Sequence, residues 1–116
     1  MIYFVTGNKN KFAEAQKIIP ELVQLSIDLP EIQDVNPHKV IAAKLETARK
    51  HAQGTFIVED TSLFLDSLNG LPGPLIRSFE ETIGLTGIVT LAEKMGNNAK
   101  TKTVIGYASE KKRAVL

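Results

Sequence analysis

Short apolar runs alternate with helical stripes along the first part of the chain. Residues 2–5 form a compact apolar run that turn residues end, which predicts a buried strand. Phe12, Ala15 and Ile19 then fall on one side of a helix, so we expect a helix over residues 11–19 that Pro20 ends. Residues 22–27 alternate apolar and polar side chains and predict a second strand.

The pattern of the following residues predicts a second helix and a third strand, followed by a region of mixed elements. Asn36 and Pro37 are typical of a helix start, and apolar spacing carries this helix to about residue 53. Residues 55–58 do not alternate, which favours a central strand that is buried on both sides. Further predictions are a short strand or extended segment at 63–65, a rigid turn at 71–74, a helix at 85–95, a polar loop at 97–100, a strand at 101–108, a hairpin turn at 109–112 and a returning strand at 113–116.

This order of elements predicts a single α/β domain over residues 1–116. We expect a mixed, mostly parallel twisted sheet flanked by helices. The last predicted strand stops as it begins, which would leave unpaired backbone groups at an apolar tip. We therefore expect the sequence to be the front part of a longer fold, incomplete at its C-terminal side.

Composition and charge exclude several classes of protein. The chain has 116 residues, 43% of them hydrophobic and 23% charged, and a formal net charge of +1, so no broad basic field for nucleic acid is expected. It has no cysteine, which excludes disulfides and thiolate metal sites. No apolar run approaches the roughly 20 residues of a membrane span, and no signal peptide is evident. We expect a cytoplasmic protein with neither membrane nor nucleic acid as partner.

One candidate site lies between the first strand and the first helix. Its residues combine a glycine, hydrogen-bonding side chains and lysines at a helix N-terminus, where backbone amides and the helix dipole favour an anion. They are Thr6, Gly7, Asn8, Lys9, Asn10 and Lys11. The segment matches neither the Walker pattern nor the dinucleotide fingerprint. Phosphate binding is one interpretation, and a capped helix with solvated lysines is the other.

Acidic residues near the predicted ends of the second and third strands form a second candidate. Glu31 follows the second strand, and Glu59 and Asp60 follow the third, so these carboxylates are expected at one edge of the sheet. Mg²⁺ binds through one or two carboxylates together with substrate phosphates. The hypothesis is a single site formed by Glu31, Asp60 and the phosphate loop, against the alternative that Glu31 is an ordinary exposed acid.

Two basic residues complete the set of candidates. Lys44 lies beside the apolar stripe of the second helix, where a lysine commonly extends its ammonium to solvent. Arg77 lies among apolar residues just after the rigid turn, and its guanidinium suits a planar or phosphate partner.

Four motifs in order resemble the inosine triphosphate pyrophosphatase family, also called Ham1-like. They are Thr6-Gly7-Asn8 with Lys11, Ile27-Asp28-Leu29-Pro30-Glu31, Val58-Glu59-Asp60-Thr61-Ser62-Leu63, and Gly70-Leu71-Pro72-Gly73-Pro74. The resemblance implies Mg²⁺-dependent hydrolysis of ITP, dITP and XTP to the monophosphate and pyrophosphate, which removes deaminated purines from the nucleotide pool, by an enzyme that forms homodimers.

The resemblance also implies a role for each matching residue. Thr6 to Lys11 match the family's phosphate loop, and Lys44 and Arg77 match basic residues that face the triphosphate. Glu31 and Asp60 match the metal-binding acids, Asp60 also matches the base that activates water, and Thr61 matches a substrate contact.

The chain departs from the family pattern toward its C-terminal end. The aromatic-Gly-aromatic-Asp-Pro and Ser-His-Arg segments that hold the purine in the family are absent from this sequence. One alternative is therefore a catalytically silent, truncated relative that binds nucleotide or only dimerises. A second alternative is a Maf-like nucleotide pyrophosphatase of related fold. The amino-acid sequence of residues 58–62 and 70–74 argues against this alternative.

Overall fold

A six-stranded mixed sheet forms the centre of the computed structural model, which describes residues 1–27, 29, 32–95, 98–109 and 113–115. The sheet order is β2-β1-β3-β5-β6, and β4 pairs with β3 beside this path. The strands are β1 (Ile2–Val5), β2 (Leu22–Leu25), β3 (Thr55–Leu65), β4 (Pro72–Gly73), β5 (Ala99–Ala108) and β6 (Arg113–Val115). The predicted mixed α/β architecture is thus confirmed.

The helices α1 (Lys9–Ile18) and α2 (Pro37–His51) connect the parallel strands. The chain moves outward from β1 to β2 and then back across β1 to β3, so right-handed crossovers place α1 and α2 on opposite faces of the sheet. The Asn36 side chain caps α2 by accepting from His38 N at 3.0 Å, and Pro37 occupies the first turn, as predicted.

The face of the sheet that α2 covers contains the hydrophobic core. The buried side chains of this core come from α2, from alternate residues of β3 and β5, and from the end of β1. They are Val5, Ile41, Leu45, Ala48, Phe56, Val58, Val104 and Ala108. On the other face, no residue of α1, a helix that lies wholly in the described part of the chain, is buried. The sheet is therefore packed much more firmly on the α2 face than on the α1 face.

The third strand is longer than predicted. The expected end at Val58 is wrong, because β3 runs without interruption from Thr55 to Leu65. Residues 63–65 are extended, as predicted, but they belong to this strand and not to a separate one. The backbones of Glu59 and Asp60 pair with Ile105 and Val104 of β5, so two charged residues stay within the ladder. Since adjacent strand residues point to opposite faces, their side chains leave the sheet on opposite sides.

The sheet is also less parallel than predicted. β1 is parallel to β2 and β3, but the β3–β4, β3–β5 and β5–β6 pairings are all antiparallel. The expectation of a mostly parallel sheet is therefore wrong for the described strands. Short connections such as the one between β5 and β6 permit only antiparallel neighbours, because a parallel pair needs a long crossover.

The last helix, α3 (Ile76–Met95), begins before the predicted start at residue 85. Gly84 interrupts it with φ 70° and ψ 173°, a conformation that glycine adopts readily because it has no Cβ. The apolar stripe that predicted the helix lies only after this interruption. The predicted loop at 97–100 is also shorter, since residues 99 and 100 belong to β5, while Asn97 lies outside the described residues.

No helix in the described ranges is both long enough and apolar enough to cross a membrane.

Candidate active site

A cleft of about 850 Å³ opens where β1 and β2 end and β3 continues. This position is the carboxyl edge of the parallel strands, where ligands of α/β sheets commonly bind. Most of the residues that the sequence analysis assigned to the site line this cleft, namely Thr6, Gly7, Asn8, Lys9, Lys11, Lys44, Asp60, Thr61 and Arg77. The volume lies within the range of roughly 300–1,000 Å³ that is usual for small-molecule sites.

Of the predicted residues that the structure describes, Asn10 is not among the lining residues. Asn10 lies on α1, and its backbone N–H donates to Asn8 Oδ1 at 3.0 Å. Glu31 lies outside the described residues, so its assignment as a metal ligand stays a prediction.

Side chains of the loop between β1 and α1 accept hydrogen bonds from the loop's own backbone and from the first turn of α1. Asn8 is the N-cap of α1, and its Oδ1 also accepts from Lys11 N at 3.1 Å. Asn8 N in turn donates to Thr6 Oγ1 at 3.1 Å. The capped helix that was one of the two interpretations is therefore present. It does not exclude the other, because Thr6, Gly7, Asn8 and Lys9 still line the cleft.

Asp60 and Lys44 meet on the face of the sheet that α2 covers. Lys44 Nζ lies 3.7 Å from Asp60 Oδ1 and 3.4 Å from the backbone oxygen of Glu59, to which it donates. The Asp60 side chain is only 12% exposed, and the Lys44 side chain is 13% exposed. Lys44 thus differs from the solvent-directed lysine that its position on the stripe suggested, because its ammonium is turned into the cleft.

Glu59 and Lys11 meet on the opposite face of β3. Lys11 Nζ donates to Glu59 Oε1 at 2.8 Å, the length of a charge-assisted hydrogen bond. The side chains are 18% exposed for Glu59 and 44% exposed for Lys11. Glu59 is one of the acids that the sequence predicts at this edge of the sheet, but the sequence assigns it no role of its own. Its lysine partner lies 48 residues away in the chain, so no local pattern signals the pair.

Thr61 continues this polar row along β3. Its Oγ1 lies 3.5 Å from Glu59 Oε2 and 3.1 Å from Oγ1 of Thr103 on the neighbouring strand β5. The hydroxyl that the resemblance assigned to substrate is therefore already hydrogen-bonded within the sheet, although Thr61 also lines the cleft.

The opposite wall of the cleft comes from the start of α3. β4 folds back on β3 by pairing Gly73 with Leu63, which brings Pro74, Ile76 and Arg77 to the cleft. The Arg77 side chain is 77% exposed, and its Nε lies 4.0 Å from Glu81 Oε1. An exposed ion pair of this length contributes little to stability, so the guanidinium can turn toward a ligand at small cost.

The carboxylates of the cleft suit a hard cation. Among the described residues, no group of three or more His, Cys, Asp or Glu side chains could hold a metal ion. Mg²⁺, however, retains several waters and needs only one or two protein carboxylates when substrate phosphates complete its shell. Asp60 supplies one such carboxylate at the cleft, so the residues present fit a magnesium ion that is held jointly with a phosphate chain.

Comparison with known proteins identifies relatives along almost the whole chain. The model of the Ham1 family matches residues 2–116. The chain is 40% identical over 95 residues to the inosine triphosphate pyrophosphatase of Ajellomyces capsulatus, covering 79% of this chain and 51% of that protein. It is 35% identical over 111 residues to the dITP/XTP pyrophosphatase of Methanosarcina mazei, covering 91% of this chain and 60% of that protein.

A solved structure supports the fold. The nucleoside-triphosphatase / dITP/XTP pyrophosphatase from Mycobacterium abscessus superposes with a TM-score of 0.78 at 20% identity, over 100% of this chain and 70% of that chain. The chain thus spans about half to three fifths of the length of the two sequence relatives described above.

Proposed function

The chain belongs to the Ham1 family, and we propose that it is a Mg²⁺-dependent nucleoside triphosphate pyrophosphatase. It would hydrolyse ITP, dITP and XTP to the monophosphate and pyrophosphate and so remove deaminated purines from the nucleotide pool. The observation that carries this proposal is the convergence of Asp60 with Lys9, Lys11, Lys44 and Arg77 on one cleft. A carboxylate among several cations is the arrangement that metal-assisted phosphoryl chemistry requires.

Each residue has a role that its position supports. Asp60 orients and deprotonates the attacking water, because it is the carboxylate on the firmly packed α2 face and lines the cleft. Lys44, beside it, neutralises charge that develops on the phosphate oxygens. Lys11 and Arg77 bind the phosphate chain from the α1 side and from the start of α3.

Asp60, with Glu31 as the resemblance implies, would hold Mg²⁺, which supplies charge neutralisation of the phosphate chain when it is bound. The remaining work falls to the chain itself. The loop of Thr6, Gly7 and Asn8 closes one side of the cleft, and Pro74 and Ile76 provide apolar surface opposite it.

The direct test is release of pyrophosphate from ITP, XTP, ATP and dTTP, each with and without Mg²⁺. We expect Mg²⁺-dependent release from ITP and XTP and little from the other two nucleotides. Equal turnover of ATP and ITP would contradict selectivity for deaminated purines, but it would still support hydrolysis of nucleoside triphosphates. Absence of turnover with every nucleotide by folded protein would contradict the proposal.

A second candidate function is nucleotide binding without hydrolysis. Titration of ITP with no turnover would distinguish this function from the first. We also propose, from the resemblance, a homodimer in the cytoplasm; light scattering at several concentrations tests the dimer, and fractionation tests the compartment.

A further inference from the structure

We propose that Glu59 is a positioning residue that anchors the Lys11 ammonium in the cleft for contact with a phosphate chain. The inference rests on the proposed function and deepens it, since Glu59 has no role in the account of catalysis given above. An ammonium has three N–H donors, and the bond to Glu59 uses one of them. The other two remain for phosphate oxygens.

Glu59 and Asp60 differ in direction even though they are neighbours. Successive strand residues point to opposite faces, and each carboxylate meets a lysine from a different helix. Asp60 meets Lys44 of α2, whereas Glu59 meets Lys11 of α1. The two acids therefore form ion pairs with different lysines, and the proposed role of Asp60 does not explain the role of Glu59.

Lys11 requires an anchor because its helix provides little support. No residue of α1, a helix that the structure describes from end to end, is buried, and the Lys11 side chain is 44% exposed. Its backbone N–H is bonded to Asn8 Oδ1 at 3.1 Å, and its ammonium is bonded to Glu59 at 2.8 Å. Lys11 is thus held at both ends, which lowers the entropy that it would lose on binding a phosphate.

Glu59 is itself held by a directed row of hydroxyls. Thr61 Oγ1 has a single hydrogen, and its contact with Glu59 Oε2 at 3.5 Å uses it in the direction of the carboxylate. Thr61 and Thr103 share a second hydrogen bond of 3.1 Å across the strands, in which Thr103 can donate. The row connects the second carboxylate oxygen to the β3–β5 ladder, so Glu59, which is 18% exposed, has firmer support than Lys11, which is 44% exposed.

If Glu59 competed with phosphate instead of anchoring Lys11, its substitution would change the affinity for triphosphate in the opposite direction. If its negative charge mainly competed with phosphate for Lys11, removing that charge would strengthen binding. If it anchors Lys11, removal weakens binding, and a residue that still accepts a hydrogen bond restores part of the loss. The order of affinities among variants therefore separates anchoring from competition.

The experiment is calorimetric titration of inorganic triphosphate in Mg²⁺ into the wild-type chain, Glu59→Gln and Glu59→Leu. We expect the Kd to rise roughly threefold to tenfold in Glu59→Leu, the range expected for ordering one long side chain, and by less in Glu59→Gln. Glu14→Gln is the matched control, because it removes the same charge from an exposed position of α1 outside the cleft. Its Kd should stay within about twofold of wild type.

A double-mutant cycle with Lys11→Met gives the readout that a merely structural role would not change. In the Lys11→Met background, Glu59→Gln should have almost no further effect on the Kd. Unchanged or tighter binding by Glu59→Gln, or an equal loss in both backgrounds, would overturn the inference. Glu59→Gln decides the matter alone if Glu59→Leu does not fold.

Failure of the inference about Glu59 can be distinguished from failure of the proposed function. If the wild-type chain binds triphosphate but hydrolyses no nucleotide, the proposed enzyme fails while the affinity order still decides the role of Glu59. If it hydrolyses ITP and Glu59→Gln does not weaken triphosphate binding, only the inference fails. If the wild-type chain does not bind triphosphate at all, the inference fails, and pyrophosphate release from ITP still decides the proposed function.

Discussion

The two faces of the central strand β3 carry the same kind of ion pair in different surroundings. On the α2 face, Asp60 and Lys44 are 12% and 13% exposed and lie beside the hydrophobic core. On the α1 face, Glu59 and Lys11 are 18% and 44% exposed, and Lys11 comes from a helix that buries none of its residues, all of which are described. Both pairs nevertheless line one cleft.

The difference suggests how the cleft divides its work. A group in a firmly packed environment keeps its geometry, which suits a carboxylate that must orient water. Lys11, on a helix without buried residues, depends on its ion pair with Glu59 for its position, which suits a residue that contributes to affinity. We therefore expect substitutions on the α2 face to reduce turnover or stability strongly, and those on the α1 face to change affinity moderately.

The largest effect is expected from Asp60→Asn. Loss of the proton acceptor should lower the rate of pyrophosphate release from ITP by roughly 10² to 10⁴-fold, the usual contribution of a positioned general base. The control is Asp66→Asn, an exposed acid just after β3 that does not line the cleft. If Asp60→Asn keeps full activity in the same steady-state assay, Asp60 is not the general base and its role in hydrolysis is contradicted.

A smaller effect, on stability, is expected from Gly106→Ala. A methyl group there would collide with Cγ2 of Ile41 and lie 2.9 Å from Cδ1 of Leu45, because Gly106 faces α2. Overpacking of this kind costs about 1–3 kcal/mol in the free energy of unfolding, which denaturant titration measures.

Ile105→Ala is the matched control on the same strand, since Ile105 is 44% exposed and points away from the core. Its cost should stay below about 1 kcal/mol. If the two substitutions cost the same, the faces do not differ in packing as described.

The smallest effect is expected from Thr103→Val, which removes the far end of the hydroxyl row without entering the cleft. The Kd for inorganic triphosphate should rise by less than about threefold, because one neutral hydrogen bond contributes about 0.5–1.5 kcal/mol and acts here only through Thr61 and Glu59. A loss larger than that of Glu59→Gln would show that the row matters for more than holding Glu59.

The sequence predicts the strands and helices whose local pattern agrees with their final surroundings. The start of α2 at Asn36 and Pro37 is one example, because capping chemistry depends on neighbours in the chain. The continuation of β3 through Glu59 and Asp60 was missed, since two acids after an apolar run are typical of a strand end. Pairing with β5 overrides that local pattern.

The candidate site was predicted mainly through motif resemblance and only partly through physics. Periodicity indicated that a loop and acids would meet at one sheet edge, which the cleft confirms for Thr6 and Asp60. It could not indicate which lysine meets which acid. Those partners depend on the direction of each side chain along β3, and the sequence analysis had placed Glu59 and Asp60 beyond the end of the strand.

The central claim is that both faces of β3 serve one phosphate site, and titration of inorganic triphosphate in Mg²⁺ tests it most directly. We expect one binding site per chain in the wild type. Lys44→Met and Lys11→Met should each weaken that same site, by roughly tenfold or more for Lys44 and by less for Lys11, as expected for lost charge-assisted hydrogen bonds. If either variant leaves the Kd unchanged, or removes a second, separate site, the account of a shared cleft is contradicted.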